Sequence, residues 1–177
     1  MRQEIRRIVE QIEPFDEIEA SHQQSTLDWI DLGAELFRTA KPATPPKHLV
    51  SYFPVIDQTH ILLVEHRNAG LWLPPGGHVD PNKHPRDTVI REAQEELEFD
   101  VTILCEDPVF ITSTVTVGST AGHTDISLWY PLQGDRSAPL RFDDGEFESI
   151  RWFGYDEIPY HISDPHLKRF LEKLSDA

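Results

Sequence analysis

The chain has a single cysteine, no long apolar run and a shortage of basic side chains: 16 Lys and Arg stand against 31 Asp and Glu, a net charge of −15 over 177 residues. Each scarcity excludes something. Cys105 alone cannot build an intrachain disulfide framework, and its isolation fits a reducing compartment. No stretch approaches the roughly 18 apolar residues of a membrane-spanning helix. Met1 to Glu13 mixes Arg and Glu with spaced isoleucines, without the apolar centre of a secretory signal. The expectation is a cytoplasmic protein that binds neither a membrane nor a nucleic-acid polymer, since both need clustered Lys and Arg. A small phosphate-bearing substrate arriving with a divalent cation stays compatible with the charge. Nine histidines are present, yet no Cys/His pair has zinc-finger spacing.

What is present suffices for a core: 38% hydrophobic and 27% charged residues exclude a fully disordered chain. Ile5, Ile8, Val9 and Ile12 recur at helical spacing before Pro14 ends the run. A second helix is predicted from about Asp16 to Phe37, with Ile18, Leu27, Ile30 and Phe37 inward. Residues 41–47, stiffened by Pro42, Pro45 and Pro46, read as a linker between an N-terminal helical arm, 1–40, and a main domain, 48–177. The arm is expected to cover the domain edge or to form a homodimer contact. After it, His48–Ile56 and Ile61–His66 suggest a hairpin around Asp57–His60. A helix follows over 85–98 with Pro85 at its first position, then strands at Val101–Cys105, Val109–Val117, Thr124–Leu132 and Ser149–Phe153. A last helix begins near Asp164-Pro165 and turns Leu167, Phe170, Leu171 and Leu174 inward. The order of elements indicates a mixed α/β domain.

The chemistry concentrates in Leu71-Trp72-Leu73-Pro74-Pro75-Gly76-Gly77-His78 and in the helix that ends Arg91-Glu92-Ala93-Gln94-Glu95-Glu96-Leu97. At about 100° per residue, Glu92, Glu95 and Glu96 share one helix face, while Val89, Ile90, Ala93 and Leu97 form a separate apolar stripe. Like charges at these spacings repel by about 0.2–0.5 kcal/mol per pair. A hard divalent cation reverses that sign, because Mg²⁺ prefers oxygen ligands. Such a run is also what a solvated acidic helix face looks like. The glycine loop separates the two readings in part, since Gly76 and Gly77 let backbone amides approach an anion.

Gly77, Arg91, Glu92, Glu95, Glu96 and Phe99 resemble the Nudix box, whose pattern is Gly-x5-Glu-x7-Arg-Glu-aliphatic-x-Glu-Glu-x-Gly-aliphatic. The lead-in Leu73 to Gly77, the segment His123 to Leu132 and the segment Glu146 to Ile158 are also similar to MutT-like Nudix proteins, so the resemblance spans roughly 48–160. Two positions depart from it: Lys83 stands where the box has its first Glu, and Glu98 where it has Gly. The first change bears on metal or water handling, and the second on how the helix ends.

The resemblance implies an α/β/α sandwich with a mixed sheet, and a hydrolase that cleaves a diphosphate linkage in a nucleoside phosphate or nucleoside diphosphate conjugate. It implies Glu92, Glu95 and Glu96 as ligands of Mg²⁺ or Mn²⁺, and Arg91, Glu95 and Glu146 as the catalytic set, Arg91 orienting the carboxylates. Glu146 is the best match for the further acid outside the box, with Asp125 and Glu148 as substitutes. Gly76, Gly77, His78 and Lys83 are candidates for contact with the substrate; His78 and His123 are read as neighbours of the site and not as metal ligands. Tyr52, Phe53, Trp72, Phe110 and Trp129 are candidates for stacking on a base, though strand aromatics are mostly core. The alternative is a Nudix-fold nucleotide-binding module whose catalysis is weak or lost. Subfamily markers downstream of the box, a proline for ADP-ribose and a slightly later tyrosine for dinucleoside polyphosphates, are absent: Ser113, Thr114, Val115 and Thr116 stand there.

Overall fold

The amphipathic run at the N-terminus folds as expected. In the computed structural model, which describes residues 1–41, 44–98, 102–142 and 144–176 (the backbone alone at 120), α1 spans Arg2–Glu10 and buries Ile5, Ile8 and Val9. Pro42, Ala43, Phe99, Val101 and Asp143 lie outside the described residues. Helix α2, Glu17–Asp31, starts where Asp16 accepts a hydrogen bond from Glu19 N, and it stops well before Phe37. Gly33, with φ +77°, turns the chain there. Leu36 then accepts a hydrogen bond from Leu49 N, so Leu36 and Phe37 are buried from a loop and not from a helix. Ile18, expected inside, is 51% exposed. The inward position of that turn is taken by Glu19, fully buried, whose carboxylate accepts from Phe15 N, Ile111 N and Lys173 Nζ. A satisfied charge replaces an apolar contact and ties α2 to the sheet and to the last helix.

Among the described residues ten strands make two mixed sheets. The first comprises β1 (Lys47–Tyr52), β5 (Gly76–His78), β7 (Phe110–Val115) and β8 (Thr124–Trp129) in the order β5-β1-β8-β7, with β1 and β8 parallel and the other pairs antiparallel. The second comprises β2 (Val55–Asp57), β3 (His60–His66), β6 (Thr102–Ile103), β9 (Leu132–Gln133) and β10 (Phe147–Gly154) in the order β10-β3-β2-β9-β6, with β4 (Leu71–Leu73) also on β3. The predicted strand over 48–56 is divided. Pro54 has no N–H to give a ladder, and across Phe53-Pro54 the chain passes from one sheet to the other. Only the β2–β3 part is a hairpin. Thr124–Leu132 divides in the same way into β8 and β9.

Helix α3, Pro85–Leu97, packs on β1 and β5, and α4, Leu167–Asp176, packs on β7 and β8 through Phe170, which contacts Phe110 and Trp129. The Ser51 hydroxyl donates to Pro85 O at 2.8 Å and anchors the start of α3 to β1. Val89, Ala93 and Leu97 are buried as expected, whereas Ile90 is 47% exposed, at the edge of the stripe. The N-terminal helices share one apolar core with the sheets: Ile5, Ile8, Val9 and Ile30 lie in one cluster with Leu49, Val89 and Leu128.

Candidate active site

A cavity of about 780 Å³ opens between the two sheets, and α3 forms one of its walls. That wall exists because the turn at Asp80–Lys83, closed by Lys83 N to Asp80 O at 3.0 Å, feeds Pro85 into the first helical position. The His84 ring accepts from Arg86 N at 3.1 Å and caps the helix. At the other end Glu98, the residue in place of the box glycine, adopts the left-handed conformation itself, with φ +51°. The helix therefore ends where a glycine would end it, at the strain expected of a non-glycine residue.

Glu92 and Glu96, one turn apart, face the cavity, and Glu96 is only 3% exposed. Gly77 backs directly onto Glu92: a Cβ at Gly77 would fall 2.1 Å from Glu92 Oε1. A Cβ at Gly76 would fall 2.3 Å from Tyr52 Cδ1. These glycines are thus required by close approach to side chains, and both line the cavity. Burial raises the Glu92 carboxyl above the usual carboxylate range; Arg91 opposes the shift, while Glu95 and Glu146 reinforce it. Arg91 reaches Glu92 at 2.8 Å, Glu95 at 3.0 Å and Asp80 at 3.5 Å, so it holds the acids of the helix in place.

Seven of the residues singled out from the sequence, Gly76, Gly77, His78, Arg91, Glu92, Glu96 and Glu146, surround this one cavity. Glu146 stands just before β10, with His66 Nε2 3.6 Å from its Oε1. Of its two substitutes, Asp125 also lines the cavity, whereas Glu148 is outside the lining and pairs with Arg67. Glu95 and Lys83 are outside it too: Glu95 is exposed and held by Arg91, and Lys83 is an exposed turn residue. Among the aromatics, Phe53, Phe110 and Trp129 are fully buried core, Trp72 packs on Phe153, and Tyr52 lines the cavity.

The structure adds residues that no motif marks. Arg38, from the loop after α2, enters the cavity and places Nη1 3.0 Å from His78 Nε2. Burial lowers the Arg38 guanidinium below its ordinary range, and Asp125, Glu92, Glu146 and Asp80 act against that shift. His78, half-buried in the cavity wall and close to Arg38, His48 and His123, is pushed down to about 2 by desolvation and is a neutral imidazole at physiological pH. His48 has no signal in the sequence; strand register alone brings it beside Asp125. The oxygen donors Glu92, Glu96 and Glu146 suit a hard divalent cation. Acids facing one cavity, with the Glu92 carboxyl raised first by burial and further by Glu95 and Glu146, are what such a cation would relieve.

The site is thus a carboxylate helix laid under a glycine loop, on two mixed sheets. The NUDIX domain family model matches residues 46–174, and the chain belongs to the Nudix hydrolase family. It is 32% identical over 130 residues to asymmetrical bis(5'-nucleosyl)-tetraphosphatase of Rattus norvegicus, covering 72% of this chain and 85% of that one. It is 30% identical over 123 residues to the protein of the same name from Sus scrofa, covering 68% and 82%. Among solved structures, a MutT protein from Methanosarcina mazei matches with a TM-score of 0.58 at 16% identity, covering 78% of this chain and 97% of that one. A C. elegans Ap4A hydrolase matches with 0.53 at 20% identity, covering 72% and 96%. These two share the fold. Among the described residues no helix is long and apolar enough to cross a membrane.

Proposed function

We propose that this chain is a divalent-metal-dependent hydrolase that cleaves a diphosphate linkage in a nucleoside polyphosphate or nucleoside diphosphate conjugate. The observation that supports this reading best is the joint placement of Glu92 and Glu96 behind the Gly77 loop, in one cavity with Glu146. Bound Mg²⁺ or Mn²⁺ supplies neutralisation of the diphosphate oxygens and a bound water of lowered pKa. Glu92 and Glu96 would hold the ion, and Arg91 keeps Glu92 in orientation. Glu146, with His66 Nε2 3.6 Å from its Oε1, is placed to take a proton at its carboxylate. Arg38 and Lys41 bring positive charge to the cavity for phosphates that the metal does not engage. A volume of about 780 Å³ is in the range of pockets that hold nucleotide-sized ligands.

The relatives' names place a dinucleoside tetraphosphate first among substrates to try, followed by nucleotide sugars, CDP-alcohols and oxidised nucleotides. Purified chain would be assayed on this panel with Mg²⁺, with Mn²⁺ and with chelator, beside a Glu92→Gln, Glu96→Gln double variant. Metal-dependent turnover lost in the variant is the expected result. Metal-dependent nucleotide binding without turnover would replace the enzyme by a binding module; Lys83 at the first box position is the feature that favours that second reading.

A further inference from the structure

We infer that His48, His78, His123 and Asp125 form a second cation site, an imidazole-rich one for Zn²⁺, built on the first sheet from residues separate from the α3 carboxylates. One ligand atom from each of the four lies within 4.8 Å of the others. Register creates the cluster: His48 is directly opposite Asp125 in the parallel β1–β8 pair, His78 is opposite Val50 across β1–β5, and His123 immediately precedes β8.

The hydrogen bonds assign the ring protons. Pro45 O can only accept, so His48 Nδ1 donates to it at 2.8 Å. Thr116 Oγ1 stands 3.2 Å from His123 O, to which it can donate, and 3.1 Å from His123 Nδ1, so Nδ1 is engaged with this hydroxyl. With Nδ1 engaged in both rings, Nε2 is the nitrogen left to face the cluster, and each Nε2 stands 3.3 Å from the same oxygen, Asp125 Oδ1. His48 Nε2 and Asp125 Oδ1 are buried without a hydrogen-bond partner, and His48 is fully buried. Two imidazole nitrogens and a carboxylate oxygen gathered this closely are a donor set that a metal cation satisfies in one step. The two N···O spacings of 3.3 Å agree with zinc, since ligand atoms about 2.0–2.1 Å from a tetrahedral ion are about 3.3 Å apart, and the full set lies within 4.8 Å. Ligating imidazoles fixed through the other ring nitrogen by a carbonyl and a hydroxyl are the usual second layer of such a site. Imidazole donors select late first-row metals, whereas Mg²⁺ takes oxygens.

His78 carries one lone pair, and Arg38, which only donates, holds it at 3.0 Å. Metal and Arg38 therefore compete for His78, and the fourth ligand joins when Arg38 lets go. With four protein ligands the site is closed, so it ties β5, β1 and β8 together instead of presenting a reactive water. The inference goes beyond the hydrolase reading and stands or falls separately from it, because its readout is zinc binding.

The test uses the full chain stripped with chelator, then titrated with Zn²⁺ under excess Mg²⁺, with calorimetry and elemental analysis for stoichiometry. Co²⁺ substitution reports tetrahedral geometry by its visible absorption. One zinc per chain is expected, with affinity at least about tenfold weaker in His123→Gln and Asp125→Asn. Arg38→Met should bind more tightly, and Glu92→Gln should bind as the parent does. Thr116→Val keeps every ligand and should weaken binding about tenfold through the orientation of His123. If the ligand variants fail to fold, the parent chain decides alone: no stoichiometric zinc overturns the site. Zinc kept in His123→Gln but lost in Glu92→Gln overturns it equally, since the ion would then sit on the helix.

Discussion

On the α3 side of the cavity the donors are the oxygens of Glu92 and Glu96, one helical turn apart on a single element. On the sheet side they are the His78 and His123 imidazoles and the Asp125 carboxylate, with the fully buried His48 beside Asp125, drawn from β1, from β5 and from the start of β8. The first group is crowded acid that needs a hard cation and leaves room for water and phosphate. The second is a set of rings, His48 fixed by Pro45, His123 by Thr116 and His78 by Arg38, gathered with a carboxylate as a softer cation requires. Arg38 stands between them, bonded to His78 and within the field of Glu92, Glu146 and Asp125. Two cation-binding chemistries can thus share one cavity because donor hardness, and not charge alone, separates them.

The sharpest break of this comparison is Glu96→Gln against Asp125→Asn. Hydrolysis should fall about 10²-fold or more in the first and less than about tenfold in the second, measured as kcat with saturating Mg²⁺. The reverse order would move the chemistry to the sheet side. Gly77→Ala should come next, since its Cβ overlaps Glu92 Oε1 at 2.1 Å. A thermal-stability loss of about 1–3 kcal/mol is expected, with reduced turnover and unchanged zinc binding.

Asp164 joins Glu96 as a buried acid on the cavity, and burial pushes its carboxyl up to about 6. Because the folded value exceeds the ordinary 3.8, this group stabilises the fold below about pH 4 and loses that contribution as pH rises through 6. His166, lowered to about 4 by burial, acts with the opposite sign in the same window, so the parent curve alone mixes the two. The difference between Asp164→Asn and parent, followed as Tm from pH 3.5 to 7, isolates the acid: the variant should gain on the parent as pH rises. The smallest effect belongs to Glu95→Gln. Its pair with Arg91 is exposed and worth at most about 1 kcal/mol, so turnover should change less than about fivefold. A loss as large as that of Glu96→Gln would place Glu95 in the metal shell after all.

Much of the carboxylate side was legible beforehand because its residues are close in the chain. Helical spacing places Glu92 and Glu96 together wherever the helix packs, and the loop glycines announce close approach. What spacing could not separate was Glu95, which shares the helix face but turns to Arg91 and solvent. The apolar run of α1 was legible for the same local reason. The burial of Glu19 in place of Ile18 was not, since it depends on Lys173 and on Ile111 N, far along the chain. The division of 48–56 at Pro54 carried a signal in the proline itself; the move from one sheet to the other carried none.

The amino-acid sequence by itself determined the family, the loop-and-helix unit and the acids that face the cavity, because those are short-range consequences of helical period and glycine's missing side chain. Tertiary structure alone decided the imidazole cluster, the entry of Arg38 and the exclusion of Lys83 and Glu148. Those follow from the register of β5, β1 and β8 and from how a distant loop packs across them, and strand pairing between remote segments leaves no periodic trace in the chain.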